Sequence, residues 1–381
     1  MGDEGYLTTA EVAQRLGVKA ETVYAYASRG VLTSVKRPGR RGSLFAAEEV
    51  DRLAGRGREP GVVEGIRTRL TRFADDELFF RDRRAVDLVG QSSLESVAHF
   101  LWTGELAGRP AFPASPELTG LVRSATGALQ ATARLTDHLR VAVAVLGAAD
   151  PLRFDLAPDA VRPAAERLIG VLADALPGGT ASGTLGERLW PKLTSRRPDP
   201  EILDAALVLL ADHGLAVSTV AARVAASARA NVYAVVSAGL GALDGQYHGG
   251  ASTLAYRFLA EAREDPVNAL SERLRTAGGI PGFGHRIYRR RDPRADALLA
   301  LLPDNPVVDL VLDQLSGRAD LFPNIDLALA AMMHSFEMRP DAGEAVFAVA
   351  RTAGWTAHAL EEYGEPGLRF RVLGSTGGTA T

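Results

Sequence analysis

Apolar residues recur at intervals of three and four positions along most of this chain, which is the spacing of amphipathic helices. From residue 118 to residue 363 these segments alternate with short breaks of Gly, Pro and Asp. The predicted helices cover residues 118–134, 138–147, 160–176, 201–212, 217–239, 253–264, 266–277, 295–302, 306–317, 325–336 and 342–363. No succession of period-two strands supports a large sheet, so the pattern predicts a mainly α domain of many helices.

Two stretches interrupt the helical pattern. From residue 61 the chain begins with an alternation of apolar and polar residues, which predicts one or two short strands before the first helices. The Ala- and Pro-rich stretch from 155 to 200 predicts little beyond a place for insertions.

The first 54 residues carry a different pattern. Thr8 and Thr9 can cap a short helix over residues 10–16, and Gly17 separates it from a second helix over 19–28. Residues 35–45 predict two strands with a glycine-rich basic tip, and a third helix follows over 46–53. Residues 55–60 contain Gly, Arg and Pro, which predicts a linker.

This arrangement resembles the winged helix-turn-helix of the MerR and excisionase type. The resemblance implies that the second helix enters the major groove of DNA while the basic tip holds phosphates. Residues 1–58 are net positive, although the whole chain has a net charge of −3. The residues assigned to DNA are Lys19, Thr22, Tyr24, Lys36, Arg37, Arg40 and Arg41. An appendage for protein contact is the alternative.

Composition excludes several kinds of chemistry. The 381 residues suffice for two or three domains, and 46% hydrophobic with 23% charged residues is ordinary for a globular protein. The absence of cysteine excludes disulfides, thiolate metal sites and a cysteine nucleophile. No apolar run approaches the ~20 residues of a membrane span, and the N-terminus lacks a signal-peptide pattern, so a cytoplasmic location is expected.

The most unusual stretch runs from Gly279 to Arg294. It contains Pro-Gly-Phe-Gly-His at 281–285, and five arginines occupy the next nine positions. Gly282 and Gly284 can adopt dihedral angles closed to other residues and let a ligand approach the main chain. The stretch therefore predicts an anion-binding loop with a titratable group at its centre. A solvated basic loop is the alternative.

Three further polar residues stand where function is favoured over packing. His213 closes a helix, and His248 precedes two glycines at a turn where backbone amides can face a ligand. Asp326 starts an otherwise apolar helix, so its carboxylate is either an N-terminal cap or a base. These residues and His285 are 35 to 41 positions apart, without a close histidine pair, so a metal site has little support.

In their order and spacing these segments resemble the citrate synthase family over about residues 61–375. The matching segments are Leu-Trp-x-Gly-Glu-Leu at 101–106, Asp-His at 212–213, His-Gly-Gly-Ala at 248–251, Pro-Gly-Phe-Gly-His at 281–285 with Asp-Pro-Arg at 292–294, Pro-Asn-Ile-Asp at 323–326, Arg-Thr-Ala-Gly-Trp at 351–355 and Arg-Phe-Arg at 369–371. The resemblance implies a large helical domain at 61–248 plus 333–381 and a smaller one at 249–332. It also implies a homodimer with substrates bound in the cleft between the two domains.

The same resemblance implies the reaction and the residues that perform it. Acetyl-CoA condenses with oxaloacetate to give citrate and CoA, a transfer in which the acyl group becomes an alkyl group. Asp326 is then the base for the methyl proton, His248 the donor to the thioester oxygen, and His285 the donor to the ketone oxygen. The implied substrate-binding residues are His213, Arg294, Arg351 and, from a second subunit, Arg369; those for CoA are Gly282, Phe283, Gly284 and Arg289. The CoA thioester is a substrate, and no further cofactor is implied.

Several differences from the family pattern concern the oxo-acid pocket. An asparagine that helps to hold oxaloacetate in the family is Ala216 here, and Gln-Tyr replaces Pro-Leu before His248. Ser252 stands for an asparagine and Phe370 for a proline. The preferred substrates therefore stay open, with propionyl-CoA and 2-methylcitrate synthase activity as one alternative. A DNA-binding metabolite sensor with weak or no turnover is the alternative from another class.

Overall fold

The structure, a computed structural model, describes residues 6–16, 18–28, 32–35, 42–47, 49–50, 66–106, 108, 111–275, 279–315, 317–318 and 320–370. The chain divides into two compact units, Met1–Arg67 and Thr68–Thr381. Each unit has a hydrophobic core of its own.

The first unit combines two helices with a small antiparallel sheet. Its elements are β1 (Tyr6–Thr8), α1 (Thr9–Leu16), α2 (Ala20–Ser28), β2 (Ser34–Val35) and β3 (Leu44–Ala46), with strand order β1-β3-β2. The backbone N–H and the hydroxyl of Thr8 donate to the Glu11 carboxylate at 2.7 and 2.8 Å, which fixes the start of α1. Val12 and Val23 are fully buried between the helices and the sheet.

The structure describes part of the predicted DNA-binding surface. Lys19 and Tyr24 are exposed, and Thr22 is half-buried. Tyr26, on the same helix, packs partly against the core. The predicted wing residues Lys36, Arg37, Arg40 and Arg41 lie outside the described residues.

The second unit opens with a three-stranded antiparallel sheet. Strands β4 (Thr71–Ala74), β5 (Glu77–Phe80) and β6 (Arg83–Arg84) pair in that order. Asp75 and Asp76 form the turn between β4 and β5 with positive φ angles of 53° and 59°. Two successive residues with positive φ match the twist of a tight hairpin, and aspartate tolerates this conformation better than most residues. Short strands follow residue 61, as the alternation predicts.

Helices make up most of the remainder. A 3₁₀ turn at Ala85–Leu88 leads into α3 (Leu94–Thr103), α4 (Pro116–Thr126), α5 (Leu135–Ala149), α6 (Pro158–Ala175), α7 (Leu185–Leu193), α8 (Pro200–Leu210), α9 (Val217–Ser227), α10 (Val232–Leu243), α11 (Ala251–Glu264), α12 (Pro266–Arg275), α13 (Pro293–Leu299), α14 (Pro306–Leu315), α15 (Ile325–Ser335) and α16 (Ala342–Tyr363). Helix α16 is buried along nearly its whole length. The mainly α prediction is confirmed, and none of these helices is long and apolar enough to cross a membrane.

Three predicted segments differ from the observed elements. The helix expected over 118–134 ends at Thr126. The helix expected over 217–239 is two helices, because Arg229 takes a positive φ of 61° and the Asn231 side chain accepts the Ala234 N–H to cap α10. The uninformative stretch at 155–200 contains α7, which begins with a capping box of Thr184 and Glu187.

Helix α15 joins two hydrophobic cores. Its Leu327, Ala330 and Ala331 belong to a core whose members run from Ala255 to Ala331. Other residues of the same helix pack into the main core. The second core lies within the range 249–332 that the sequence assigns to a smaller domain, and this boundary stays a prediction. The first turn of α15, which carries Asp326, therefore stands at the junction of the two cores.

Candidate active site

The glycine-rich loop is fastened to the segment that leads into α15. Gly282 has a φ of 85°, and a Cβ there would approach the Leu327 Cβ to 2.9 Å. The Asn324 N–H donates to the Gly282 carbonyl at 2.9 Å, and the Asn324 side-chain amide donates to the Gly284 carbonyl at 2.9 Å. Only glycine fits this close approach. The contacts bring the His285 loop and the start of α15 to the same place.

The protonation state of His285 follows from its contacts. Its Nδ1 accepts the backbone N–H groups of Ile287 at 3.0 Å and Tyr288 at 3.3 Å. Burial, together with the charge of Arg294, lowers the pKa of His285 to about 4. The ring is therefore neutral at pH 7, and its proton resides on Nε2. His285 can donate a hydrogen bond from Nε2.

His213 lies edge-on to His285, with 5.2 Å between the ring centroids. Its Nε2 is 3.1 Å from the Tyr288 hydroxyl, and the Phe73 ring packs 4.9 Å away. Burial lowers the pKa of His213 well below its usual value, and the charge of Arg294 lowers it further. A second neutral imidazole thus stands beside the first.

His248 is oriented by a serine. Its Nε2 is 2.8 Å from the Ser218 hydroxyl, which is also 3.3 Å from the Trp355 indole nitrogen. Because an indole N–H only donates, Ser218 accepts from Trp355, and its own O–H is free to donate a hydrogen bond to His248 Nε2. Burial, followed by the charge of Arg351, lowers the pKa of His248 to about 4. The neutral ring then carries its proton on Nδ1.

Asp326 does not cap its helix. Asn324 is the N-cap of α15, and its side chain accepts the N–H groups of Asp326 at 3.0 Å and Leu327 at 3.4 Å. Within the described residues no donor is bonded to the Asp326 carboxylate. Burial raises the pKa of Asp326 to about 7, although Arg294 opposes the shift. The cap interpretation is wrong, and the base interpretation gains a suitable pKa.

Two buried arginines carry the positive charge of the site. Arg294 is bonded to Asp292 through Nε at 3.0 Å and Nη2 at 2.8 Å, so it is a fixed cation. Arg351 donates from Nε to the Leu210 carbonyl at 2.8 Å, but its buried Nη1 has no hydrogen-bond partner among the described residues. Arg351 therefore keeps a donor for an anion.

Aromatic rings connect these groups. The Phe347 ring lies 5.5 Å from the His248 ring and 4.4 Å from the Arg351 guanidinium carbon. The Tyr288 ring lies 5.4 Å from the guanidinium carbon of Arg294 and contacts both His213 and His285.

Electrostatics links the same groups across the site. Arg294 and Arg351 both act on the pKa of Asp326. The pKa of His213 is lowered by His248 and His285 as well as by the two arginines. The structure thus brings together six of the predicted residues: His213, His248, His285, Arg294, Asp326 and Arg351.

The other predicted site residues lie at the edge or elsewhere. Arg289 follows the loop, and its backbone N–H donates to the Asp76 carboxylate at 2.8 Å beside a cavity of about 500 Å³. Phe283, next to the two loop glycines, packs into the second core. Arg369 pairs with Glu362 of its own chain, with two contacts of 2.6 Å. The sequence assigns Arg369 to substrate binding in a second subunit, and this role stays a prediction.

Sequence reasoning missed the residues that support the catalytic candidates. Tyr288 lies inside the conspicuous loop, but nothing in the pattern separates it from the other polar residues there, and the Asp-Pro-Arg motif assigned no role to Asp292. Ser218 follows His213 by five positions and contacts His248 only through the fold. Asp212 is buried and bonded to the Thr71 hydroxyl and the Gly214 N–H, which fixes the backbone next to His213. Among the described residues, no group of three or more His, Asp or Glu is arranged to hold a metal ion.

Known proteins match both units of the chain in sequence. The sequence model of the family described as "Citrate synthase, C-terminal domain" matches residues 62–371, and the model described as "Helix-turn-helix domain" matches residues 6–58. The "2-methylcitrate synthase 2" of Corynebacterium glutamicum is 28% identical over 332 residues, covering 76% of this chain and 85% of that protein. The "Citrate synthase 2" of Bacillus subtilis is 28% identical over 355 residues, covering 81% and 92%.

Solved structures agree on the fold. Citrate synthase from Thermotoga maritima aligns with a TM-score of 0.66 at 23% identity, covering 84% of this chain and 95% of that one. Citrate synthase from Thermoplasma acidophilum, solved as a ternary complex with carboxymethyl coenzyme A and oxaloacetate, aligns with a TM-score of 0.62 at 21% identity, covering 79% and 90%. With a family match over most of its length, this chain belongs to the citrate synthase family and carries a helix-turn-helix domain at its N-terminus.

Proposed function

We propose that this protein condenses a short acyl-CoA, acetyl-CoA or propionyl-CoA, with oxaloacetate and releases CoA with citrate or 2-methylcitrate. The observation that carries the proposal is the Asp326 carboxylate. It has a pKa near 7, accepts no hydrogen bond within the described residues, and lies in the field of two buried arginines. Such a group suits proton abstraction next to a thioester at neutral pH.

The first step removes a proton from the carbon next to the thioester carbonyl. Asp326 takes this proton, and negative charge moves onto the thioester oxygen. The Nδ1–H of His248 can donate to that oxygen, because Ser218 occupies Nε2. A neutral donor held in place before the reaction stabilises the developing enol.

The second step forms the carbon–carbon bond. The enol carbon attacks the ketone carbon of oxaloacetate, and the ketone oxygen becomes an alkoxide. The proton that Asp326 took in the first step balances this charge when the alkoxide becomes the hydroxyl group of the product. The Nε2–H of His285 can donate a hydrogen bond to this alkoxide, since its Nδ1 is occupied by two backbone donors. Water then hydrolyses the thioester of the product, which gives a carboxylate and the CoA thiol.

The arginines and His213 suit the oxo acid. The free Nη1 of Arg351 can pair with a substrate carboxylate, and Arg294 supplies a fixed positive charge nearby. Ala216 offers only a methyl group where the family has an amide, so more of the binding falls on these cations. The 2-oxo acid and the acyl chain are therefore the open part of the proposal.

The proposal includes a homodimer, because Arg369 is expected to reach the cleft from a second copy of the chain. Leu121, Val217 and Val224 are exposed apolar side chains on α4 and α9. Apolar side chains at the surface, such as Val217 and Val224 on one helix, favour burial against another subunit. The homodimer would bring the partner's C-terminal segment to the cleft.

The test is the release of CoA thiol from acetyl-CoA and from propionyl-CoA in the presence of oxaloacetate. Similar relatives carry both the citrate and the 2-methylcitrate synthase names at 28% identity, so kcat/KM for the two thioesters decides the acyl preference. No oxaloacetate-dependent release from either thioester would overturn the proposal.

Replacing Ser218 by alanine is expected to lower kcat about tenfold and leave the KM for oxaloacetate nearly unchanged. Without the hydroxyl, His248 loses the partner that keeps its proton on Nδ1. Loss of one neutral hydrogen bond is worth about 0.5–1.5 kcal/mol, and the upper end of this range is close to a factor of ten in rate. Steady-state kinetics with each substrate varied would measure both constants. Ser237→Ala on the exposed face of α10 is the matched control, and an unchanged kcat in Ser218→Ala would contradict the assigned tautomer.

Binding of duplex DNA through the first unit is the second candidate function. The helix-turn-helix match and the exposed Tyr24, 55% accessible on α2, favour it. Affinity for duplex DNA should fall steeply with salt, and changing Arg40 and Arg41 to alanine should reduce the log–log salt slope by about two. Fluorescence anisotropy at several salt concentrations would measure this, with Arg140→Ala in the second unit as the control. A chain without affinity for duplex DNA at low salt would exclude this function.

A further inference from the structure

A cationic cluster lies apart from the residues assigned to catalysis. Lys192, in the last turn of α7, is only 3% exposed, and its ammonium group has no hydrogen-bond partner among the described residues. Burial lowers the pKa of Lys192, and the nearby charge of Arg123 lowers it further. Buried lysines are normally paired, because an isolated charge in the protein interior is costly. An unpaired buried lysine is therefore an unusual feature to retain.

The carboxylate near Lys192 is that of Asp174, and Arg188 already engages one of its oxygens. Arg188 donates from Nε to Asp174 at 2.7 Å, and its two terminal nitrogens donate to the carbonyls of Phe112 and Gly170 at 2.7 Å each. Arg123 donates to the backbone carbonyl of Asp174 at 2.8 Å. Three cations thus surround one carboxylate, which Arg188 already engages.

These groups line one cavity. It has a volume of about 290 Å³, and its walls include Thr119, Arg123, Asp174, Arg188 and Lys192. The Thr119 hydroxyl is also buried without a hydrogen-bond partner within the described part of the chain. A hydroxyl and an ammonium group without partners, beside two guanidinium groups, are donors that suit one oxyanion.

The loop before α7 keeps Lys192 in place. Gly178 takes a φ of 131°, and a Cβ there would lie 2.8 Å from the Cα of Lys192. The Gly179 N–H donates to the Pro191 carbonyl at 2.9 Å. The backbone therefore packs directly on the last turn of α7 and limits the ways in which the lysine can turn toward bulk water.

We propose that this cavity binds a small oxyanion, a phosphate or carboxylate group, between Lys192, Arg123 and the Thr119 hydroxyl. The volume allows the anionic group to belong to a small metabolite. A lysine that simply loses its proton in the folded protein is the competing explanation. The two explanations differ in one respect: only the binding site makes the stability of the protein depend on anions through Lys192.

Thermal unfolding of the full-length chain in inorganic phosphate or acetate, at constant ionic strength, tests the proposal. Phosphate or acetate should stabilise the wild type, and the anion with the larger effect identifies the preferred group. Lys192→Met keeps the side-chain length without the charge and should weaken binding of that anion at least about tenfold. Arg197→Met makes the same change in charge at an exposed position and should behave as the wild type does.

Phosphate that binds near Arg289, where CoA is proposed to bind, would stabilise all three proteins alike, so the difference between variants reports the cavity. If Lys192→Met does not fold, Thr119→Val removes the buried hydroxyl and should weaken binding several-fold. Equal anion dependence in the variants and the wild type would overturn the proposal. So would a wild type that neither anion stabilises beyond sodium chloride.

Discussion

Replacing Asp326 by asparagine should lower kcat for CoA release by about 10²–10⁴-fold, the range for loss of a general base. Asparagine keeps the shape of the side chain but cannot take the methyl proton. Exchange of the acyl-CoA methyl protons in D₂O should fall by a similar factor. Asp309→Asn, an exposed carboxylate of α14, is the control. A variant with more than a tenth of the wild-type rate would mean that another group is the base.

The raised pKa of Asp326 predicts one pH dependence for activity and another for stability. Asp326 acts as a base only when ionised, so kcat/KM should rise as the pH increases toward 7 and level off above it. His248 and His285, with pKa values of about 4, are neutral throughout that window. The rising limb should vanish from the residual activity of Asp326→Asn.

The stability of the folded protein should change with pH in the direction opposite to that of kcat/KM. The folded protein holds the Asp326 proton more tightly than the unfolded chain, whose aspartate pKa is about 3.9. This contribution is complete below pH ~4 and is lost as the pH rises toward 7, on the order of a few kcal/mol. Asp326→Asn should therefore be more stable than the wild type at pH 8, and this gain in stability should be smaller at pH 4. Denaturant unfolding at both pH values would measure this difference in stability, and an equal difference at pH 4 and pH 8 would contradict the raised pKa.

The fold could be predicted from sequence where the apolar spacing runs without interruption. Helix α16 has the predicted bounds of 342–363, because apolar and small residues dominate its sequence and the helix is buried along nearly its whole length. The break between α9 and α10 was missed because residues 228–231 contain neither Gly nor Pro. There the backbone turns through a left-handed Arg229, which no periodicity reveals.

The site was predictable as a set of residues but not as a chemical arrangement. The order of the motifs indicated His248, His285 and Asp326 although they lie far apart in the sequence. Their proton positions depend on Ser218 and on two backbone N–H groups, which only the folded chain brings into contact. The cap interpretation of Asp326 was excluded by the side chain of Asn324, which caps the helix itself. Burial of Lys192 could not be predicted, because its helix lies in a stretch that the pattern left undefined.

Replacing Arg351 by leucine should raise the KM for oxaloacetate about 100-fold and change the KM for acyl-CoA little. The guanidinium is buried, and burial lowers its pKa to about 10, so it remains charged at pH 7 to 8. Its Nη1 is the donor left without a partner in the described structure, and a charge-assisted bond to a substrate carboxylate is worth about 1.5–3 kcal/mol. That range corresponds to roughly 10- to 150-fold in affinity.

Arg351→Lys separates charge from shape. Lysine retains the positive charge but cannot reach the Leu210 carbonyl and a substrate carboxylate at once, as the arginine fork can. It should therefore recover only a small part of the affinity for oxaloacetate. Arg257→Leu, an exposed arginine of α11, controls for the loss of charge. If Arg351→Leu instead raises the KM for acyl-CoA alone, the free donor serves the thioester, and the oxo acid must be held by Arg294 and by a residue that the cleft receives from a second subunit.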